Sequence, residues 1–279
     1  MQPALSWQGR AEVQRIALGV AYRGGRYHGW QSQPDGQTVQ DTLERALRRF
    51  SALEPTAAAA LSTVCAGRTD TGVHALNQVL HFDTALDRDA VSWVRGTNRY
   101  LPADIAVNWC KAVPAAFHAR YAARGRRYRY VLLQSPVRPA VEQGLVGWEF
   151  RELDGAAMQD AAVHLLGEHD FSSFRAAACQ SHTPVKTLRR LTIEQRGAYW
   201  RFEFDGNAFL HHMVRNIMGC LLWVGRGRRP SAWLAEVLAA RDRDAAAPTF
   251  GPDGLYFLGP YYDPSHGIPD HVPAHDWLS

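Results

Sequence analysis

Cysteine is scarce in this 279-residue sequence, which has four: Cys65, Cys110, Cys179 and Cys220. No two of them form a Cys-x-x-Cys pair, the spacing that is typical of zinc ribbons and of redox-active dithiols. The sequence therefore indicates neither a zinc-stabilised fold nor a disulfide-exchange enzyme. Cysteines without such a framework are typical of a reducing compartment, so we expect a cytoplasmic protein.

Long hydrophobic runs are also lacking. The first ten residues have no apolar core and do not have the pattern of a signal peptide. The most apolar stretch, 208–224, contains two histidines, an arginine and an asparagine, which makes it too polar for a membrane span. We interpret it as a buried amphipathic helix. The hydrophobic fraction of 46% is sufficient for a globular core.

Acidic residues are absent from 105 to 141, although this stretch is rich in cations and rings. The cations are Lys111, Arg120, Arg124, Arg126, Arg127, Arg129 and Arg138, and the rings are Phe117, His118, Tyr121, Tyr128 and Tyr130. Cations neutralise phosphates and rings stack on exposed bases, so this composition favours an RNA-binding surface. The alternative is an edge strand with a tyrosine face in the core and a solvated arginine face.

A short loop between two glycines, 67–72, holds the most informative carboxylate of the chain, Asp70. Glycine reaches backbone angles that are closed to other residues, so such a loop can hold a carboxylate at a fixed angle above a cleft. Arg68 supplies a cation beside it. Asp70 is therefore a candidate catalytic group. The alternative is an Asx turn in which Asp70 caps its own backbone.

Six segments, in order along the chain, resemble the pseudouridine synthases that act on the anticodon arm of transfer RNA, the tRNA pseudouridine synthase A family. They are Tyr27–Gln31, Ala66–Ala75, Phe117–Tyr121, Arg127–Tyr130, Asp170–Phe174 and Asn207–Asn216. The resemblance extends from about residue 15 to about residue 262. Several ordered motifs are far more specific than any single motif.

The resemblance implies an isomerase that converts uridine to pseudouridine at tRNA positions 38, 39 and 40. The reaction detaches uracil from the ribose at N1 and rejoins it through C5, without net gain or loss of electrons or groups. We therefore expect no cofactor and no metal. The family's chemistry makes Asp70 the nucleophile and requires a flipped-out base. Arg68 fills the gap in the stack or binds a phosphate, and Tyr128 stacks on the base.

The same resemblance implies further contacts. Arg215 faces Asp70, and Leu255 lines the uracil pocket. The tRNA-binding positions are Arg88, Phe117, His118, Ala119, Arg120, Tyr121, Ala178, Cys179, Gln180, Ser181 and His182. Many family members have arginine at the position of His182, so a phosphate contact there depends on protonation. We expect His74 to pack rather than act as a base, and the adjacent His211 and His212 to point to different sides.

The fold class is mixed α/β (α+β). Alternating residues predict strands near 16–22, 79–82, 105–109 and 127–132, and a pair of strands at 188–194 and 200–204. Thr38 and Asp154 are predicted helix caps, a further helix ends at Gly225, and a short one begins near Ser231. The resemblance implies two α/β halves that share a mainly antiparallel sheet with a central RNA-binding cleft, in a homodimer.

The expected domain bounds are an N-terminal extension at 1–14, halves at 15–113 and 114–262, and a loosely held tail at 263–279. Two other functions stay open. One is a non-catalytic tRNA-binding module on the same scaffold. The other is a metal-dependent hydrolase that uses Asp and His, against which the sequence shows no cluster of metal ligands.

Overall fold

The computed structural model describes residues 13–51 and 61–270, and these contain ten strands and five α-helices. The strands are β1 (Gln14–Tyr22), β2 (Val64–Cys65), β3 (His74–Thr84), β4 (Ile105–Val113), β5 (Gly125–Gln134), β6 (Gly147–Glu149), β7 (Gly167–Asp170), β8 (Val185–Arg196), β9 (Tyr199–Gly206) and β10 (Leu255–Tyr261). The helices are α1 (Val39–Ser51), α2 (Ala90–Asn98), α3 (Gly155–Val163), α4 (Met213–Gly225) and α5 (Trp233–Ala240).

All ten strands form one sheet. Its main path runs β4-β1-β3-β10-β5-β9-β8-β7, with β2 paired to β3 and β6 paired to β5. The pairs β3–β10 and β5–β6 are parallel and the others are antiparallel. The mixed α/β class and the mainly antiparallel sheet are therefore confirmed.

Strand β10 joins the two halves of the sequence. It pairs with β3 on one side, where Tyr256 lies opposite His74, and with β5 on the other, where Phe257 lies opposite Tyr128. The buried hydrophobic cluster is continuous across this junction and includes both Leu18 and Leu221. The halves at 15–113 and 114–262 stay a prediction, because a strand from the second half completes the sheet of the first.

Several local predictions are confirmed by hydrogen bonds. Thr38 Oγ1 accepts from the amide of Asp41 at 3.2 Å and donates to its carboxylate at 2.5 Å, which caps α1. Asp154 Oδ1 accepts from the amide of Ala157 at 3.0 Å and caps α3. Strands β8 and β9 form the expected hairpin around Gly197, which has a φ of +56°.

Other elements differ from the prediction. Helix α2 was not predicted because its nine residues include Gly96 and Thr97, which have weak helix propensity. Strand β10 was not predicted because it contains Gly259 and Pro260, which normally interrupt strands. Helix α4 begins at Met213, so the apolar stretch 208–224 is helical only in its second part.

The expectation of a loosely held tail is wrong for residues 263–270. Asp263 forms an ion pair with Arg124, and Asp270 forms one with Arg127. Lys111 Nζ donates to the carbonyl of Gly267 at 2.5 Å. Opposite charges on two segments thus hold this part of the tail against β4 and the start of β5. The remainder of the tail and most of the extension at 1–14 lie outside the described residues.

The edge-strand interpretation of the basic stretch is also wrong, because β5 lies in the middle of the sheet. Several of its arginines have acidic partners from other segments, such as Glu203 at 2.7 Å from Arg129. A stretch without acids in the sequence is therefore partly neutralised in the fold.

Among the described residues, the structure contains no helix that is both long enough and apolar enough to span a membrane.

Loss of the Asp154 cap should destabilise the protein without changing its site. We expect Asp154→Ala to lower the free energy of unfolding by about 1 kcal/mol, because the amide of Ala157 loses its acceptor. Urea unfolding measures the change. Asp160→Ala, at an exposed position of the same helix, is the control and should stay within about 0.5 kcal/mol of wild type. Equal effects of the two substitutions would contradict the capping role.

Candidate active site

The loop that carries Asp70 is fixed by backbone contacts between β2 and β3. The amide of Trp30 donates to the carbonyl of Thr69 at 3.0 Å, and the amide of Val73 donates to the carbonyl of Asp70 at 3.1 Å. Tyr22 and Thr69 share a buried hydroxyl–hydroxyl hydrogen bond of 2.7 Å. The backbone carbonyl of Asp70, rather than its carboxylate, closes the turn, which argues against the Asx-turn alternative.

Gly29 lies directly against this loop. Its φ is +84°, and a Cβ at this position would be 2.7 Å from the carbonyl oxygen of Thr69. Any side chain there would be strained and would push on the residue before Asp70. The segment Tyr27–Gln31 therefore supports the candidate catalytic loop. The sequence alone did not reveal this contact.

The carboxylate of Asp70 faces three basic side chains at the start of α4 and just before it. His211 Nε2 lies 3.3 Å from Oδ1, and His212 Nε2 lies 3.5 Å from Oδ2. Arg215 Nη1 is 3.5 Å from Oδ2, and its Nε donates to the carbonyl of Phe250 at 2.9 Å. The expected approach of Arg215 to Asp70 is present. The side chain of Asp70 is 19% exposed, so a substrate can still reach it.

The electrostatics of this cluster favour an ionised Asp70. Burial alone would raise the pKa of its carboxyl, but the contact with His211 and the positive charges of His212 and Arg215 outweigh burial and lower the pKa below its usual value. The contact with Asp70 raises the pKa of His211, whereas burial lowers the pKa of His212. Asp70 is therefore a carboxylate at neutral pH.

The expectation that His211 and His212 point to different sides is wrong. Their ring centroids are 4.1 Å apart, and both rings approach Asp70. Both residues precede α4, and His212 has a left-handed backbone with φ of +61°, so helical spacing does not apply to them. Asp70, His211 and His212 place three potential metal-ligand atoms within 4.8 Å of one another. The absence of a ligand cluster, expected from sequence spacing, is therefore also wrong.

Tyr128 and Leu255 lie on neighbouring strands in the middle of the sheet, and both are buried. The Tyr128 ring packs against Phe209 at 5.1 Å and Phe257 at 5.0 Å. Burial, together with the negative charge of Asp70, raises the pKa of Tyr128. The phenol is therefore neutral at neutral pH, and these side chains are suited to an apolar surface near Asp70. Leu255 lies opposite Tyr130.

The segment 178–182 lies next to the Asp70 loop and to His211. Arg68 Nη1 donates to Gln180 Oε1 at 3.3 Å, and the amide of His211 donates to Cys179 Sγ at 3.4 Å. Arg175 Nη2 donates to the carbonyls of Cys179 at 2.7 Å and Ser181 at 3.1 Å, which shapes the segment. Ala178 and His182 are exposed. The structure thus brings Arg68 and this segment together.

The segment 117–121 divides into buried and exposed members. Phe117 and Ala119 are buried, whereas Arg120 is exposed and the residue surface of Tyr121 is 76% exposed. The ring of His118 stacks on that of Tyr121, with centroids 4.2 Å apart. The surface that could meet RNA therefore consists of His118, Arg120 and Tyr121.

Arg126 connects this segment to the catalytic loop, a role that the sequence did not indicate. Its Nη2 donates to the carbonyl of Arg120 at 2.8 Å and to the carbonyl of Ala66 at 3.0 Å. The absence of acidic residues made every cation of 105–141 an equal candidate for RNA binding. An arginine with a purely structural role could therefore not be recognised from the sequence.

Two further candidates are engaged with other partners. His74 Nδ1 accepts from the amide of Gly24 at 3.0 Å, and its Nε2 donates to the carbonyl of Asp253 at 3.0 Å, so the ring is committed to packing, as expected. Arg88 is exposed and lies over the ring of Phe50 at 4.7 Å.

Comparisons with known proteins identify the class. A family profile described as tRNA pseudouridine synthase matches residues 19–122 and 161–263. A tRNA pseudouridine synthase A of Methylibium petroleiphilum is 67% identical over 264 residues, which cover 95% of this chain and 99% of that protein. One of Paracidovorax citrulli is 63% identical over 282 residues, with the same coverage.

Among solved structures, a chain of a Cbf5-Nop10-Gar1 complex matches 87% of this chain and 48% of its own length. Its TM-score is 0.35 and its sequence identity 10%, a likeness too weak to carry an argument. The sequence matches suffice: the chain belongs to the tRNA pseudouridine synthase family. It is an isomerase that forms pseudouridine in tRNA, and the metal-dependent hydrolase is set aside.

Gly29→Ala should reduce the rate of pseudouridine formation at least about tenfold, because displacement of reacting groups by about 1 Å can cost a hundredfold. The added Cβ would press on Thr69 beside Asp70. The rate is measured as tritium released from C5-labelled uridine in tRNA. Gly25→Ala is the control, since a Cβ there meets nothing within 4 Å. A Gly29→Ala enzyme with wild-type rate would show that the loop position is not critical.

Proposed function

We propose that this enzyme isomerises uridine at positions 38, 39 and 40 in the anticodon stem-loop of tRNA, with Asp70 as its nucleophile. The observation that carries the proposal is the ionised, partly exposed carboxylate of Asp70. A fixed loop holds this carboxylate beside His211 and Arg215. The choice of the anticodon arm rests on the motifs that resemble the family acting there.

Asp70 performs the covalent step. Its carboxylate attacks the ribose or the base of the flipped-out uridine and forms an adduct while the bond from ribose to N1 breaks. The detached uracil rotates and rejoins the ribose through C5 while the bond to Asp70 breaks and frees the carboxylate. A proton then leaves C5, and N1 takes up a proton. Atoms and electrons balance within the nucleotide, so the reaction needs no external oxidant or reductant.

The neighbouring residues bind and orient the base. Tyr128 stacks on the uracil and assists removal of the C5 proton, and Leu255 covers its apolar edge. Arg68 is exposed and reaches Gln180, so it can leave this partner to fill the gap in the base stack or to bind a phosphate. Arg215 stabilises the charge of Asp70, and its own Nε is fixed by the carbonyl of Phe250.

The tRNA backbone contacts exposed side chains on both sides of the Asp70 loop. One side is the segment 117–121, through His118, Arg120 and Tyr121. The other is the segment 178–182, through Gln180, Ser181 and His182 with the adjoining backbone of Ala178 and Cys179. Arg88 contributes a more distant phosphate contact. Cations and exposed rings at these positions suit a folded RNA.

We propose that the enzyme is a homodimer in which both subunits contact one tRNA. The resemblance to the family carries this inference. The exposed apolar side chains of Val137, Val141 and Phe150 form surface of the kind that an interface covers. We place the enzyme in the cytoplasm, a compartment compatible with its four free thiols.

Asp70→Asn should abolish pseudouridine formation and leave tRNA binding within about threefold of wild type. The amide keeps the shape of the side chain but is not a nucleophile. Unmodified tRNA with uridines at 38–40 is the substrate, and carbodiimide labelling maps the product. Asp160→Asn, at an exposed helix position, is the control and should retain full activity.

The outcomes separate the candidate functions. Product in wild type at positions outside 38–40 would contradict the proposed substrate site. Product in Asp70→Asn at wild-type rate would mean that another residue is the nucleophile. A folded wild-type protein that binds tRNA but forms no product would favour the non-catalytic module.

Arg120→Glu should weaken tRNA binding and reduce the slope of log K against log salt by about one, because one phosphate contact is lost. Binding is measured by filter retention at several salt concentrations. Arg196→Glu is the matched control, since Arg196 is exposed at the β8–β9 hairpin tip and β9 runs from there toward the site. Equal effects of the two substitutions would show that binding depends on overall charge and not on the segment 117–121.

A further inference from the structure

We infer that Asp70, His211 and His212 form a binding site for a zinc-type divalent cation, and that this cation inhibits the enzyme by occupying the place of the substrate uridine. The binding depends only on the geometry of the three side chains. The inhibition rests in addition on the proposed role of Asp70.

The donor atoms are of the types that Zn²⁺ prefers. Two imidazole nitrogens and one carboxylate oxygen are the protein ligands of many tetrahedral zinc sites that keep a fourth position open. In this protein all three donor atoms lie within 4.8 Å of one another. Each residue offers one ligand atom, and the two histidines are brought to the same side by the left-handed backbone of His212.

The spacing fits a small tetrahedral ion. Zinc–ligand distances of about 2.0–2.2 Å place tetrahedral ligands about 3.3–3.5 Å apart. His211 Nε2 is 3.3 Å from Asp70 Oδ1, and His212 Nε2 is 3.5 Å from Asp70 Oδ2. In the present geometry each histidine faces a different oxygen of Asp70. To bind the ion, the carboxylate must rotate so that one of its oxygens lies near both imidazole nitrogens. The three donor atoms, which already lie within 4.8 Å of one another, close to these distances by side-chain rotation.

The surroundings allow the ion to enter and also limit its affinity. The side chains of His211 and His212 are 37% and 29% exposed, so the cluster opens to solvent. The positive charge of Arg215 repels the ion and lowers its affinity. Arg215 can also stay in contact with the carboxylate oxygen that does not bind the ion, and this contact orients the Asp70 ligand. Mg²⁺ prefers six oxygen ligands, so this mixed nitrogen and oxygen site should reject it.

A bound ion would block the reaction in two ways. It would draw the lone pairs of Asp70 away from the substrate, and it would stand where the flipped-out base approaches the carboxylate. Because tRNA and the ion would exclude each other, zinc should raise the apparent KM for tRNA and leave kcat unchanged. A chelator should restore the rate.

The experiment measures binding directly on the full-length, chelator-treated protein. Calorimetry with zinc chloride should show one site, and His211→Gln and His212→Gln should each weaken it at least tenfold, because loss of an outer-shell partner alone costs about 10–100-fold. His164→Gln, an exposed histidine after α3, is the control and should bind zinc as wild type does. Unchanged affinity in both histidine variants would overturn the inference.

A second measurement does not depend on the folding of variants. Co²⁺ in wild-type protein should give the intense visible absorption of a tetrahedral ion, and Zn²⁺ should displace it. The weak spectrum of a hydrated octahedral ion would overturn the site. Inhibition by zinc that does not depend on the tRNA concentration would overturn the competition. If Asp70→Asn keeps activity but loses zinc, the proposed nucleophile fails while the metal site stands.

Discussion

The charge of Asp70 is the constraint on which the arrangement of this site depends. A carboxylate that is largely removed from water is costly unless positive charge compensates it, and here Arg215 and His211, whose pKa is raised by the contact, supply that compensation. The loop that carries Asp70 contributes one cation, Arg68, which donates instead to Gln180. The carboxylate therefore depends on a segment far along the chain, and the site exists only when residues 211–215 are brought against the Asp70 loop.

Strand β10 connects the strands on either side of the site. It lies between β3, which follows the Asp70 loop, and β5, which carries Tyr128, and so fixes the spacing of these two strands. The contact is close: Gly259 has a φ of +128°, and a Cβ there would be 2.7 Å from the carbonyl of Asn77. Gly259 and Pro260, which kept this strand from being predicted from the sequence, are thus compatible with its close packing in the sheet.

The sequence predicts local features better than distant ones. Caps such as Thr38 and Asp154 follow from the residue itself and its near neighbours, and the structure confirms them. The direction of His211 and His212 depends on one backbone angle, which no periodicity reveals. The arginines of β5 were ambiguous for another reason. Their acidic partners, among them Glu203 and Asp270, come from other segments, so only the fold separates structural from functional cations.

The distances around Asp70 are longer than those of the tight structural ion pairs of the same protein, such as the pair of Arg15 and Asp83. Arg15 contacts both carboxylate oxygens of Asp83 at 2.7 and 2.8 Å, as expected for charge-assisted hydrogen bonds that hold two segments together. The basic side chains around Asp70 stay at 3.3–3.5 Å, where Coulomb attraction to the charged ones still favours the ionised form but no tight hydrogen bond occupies the lone pairs. A nucleophile needs both conditions, because it must be charged and its oxygens must remain available. The same looseness leaves room for a cation of suitable size between the carboxylate and the two imidazoles.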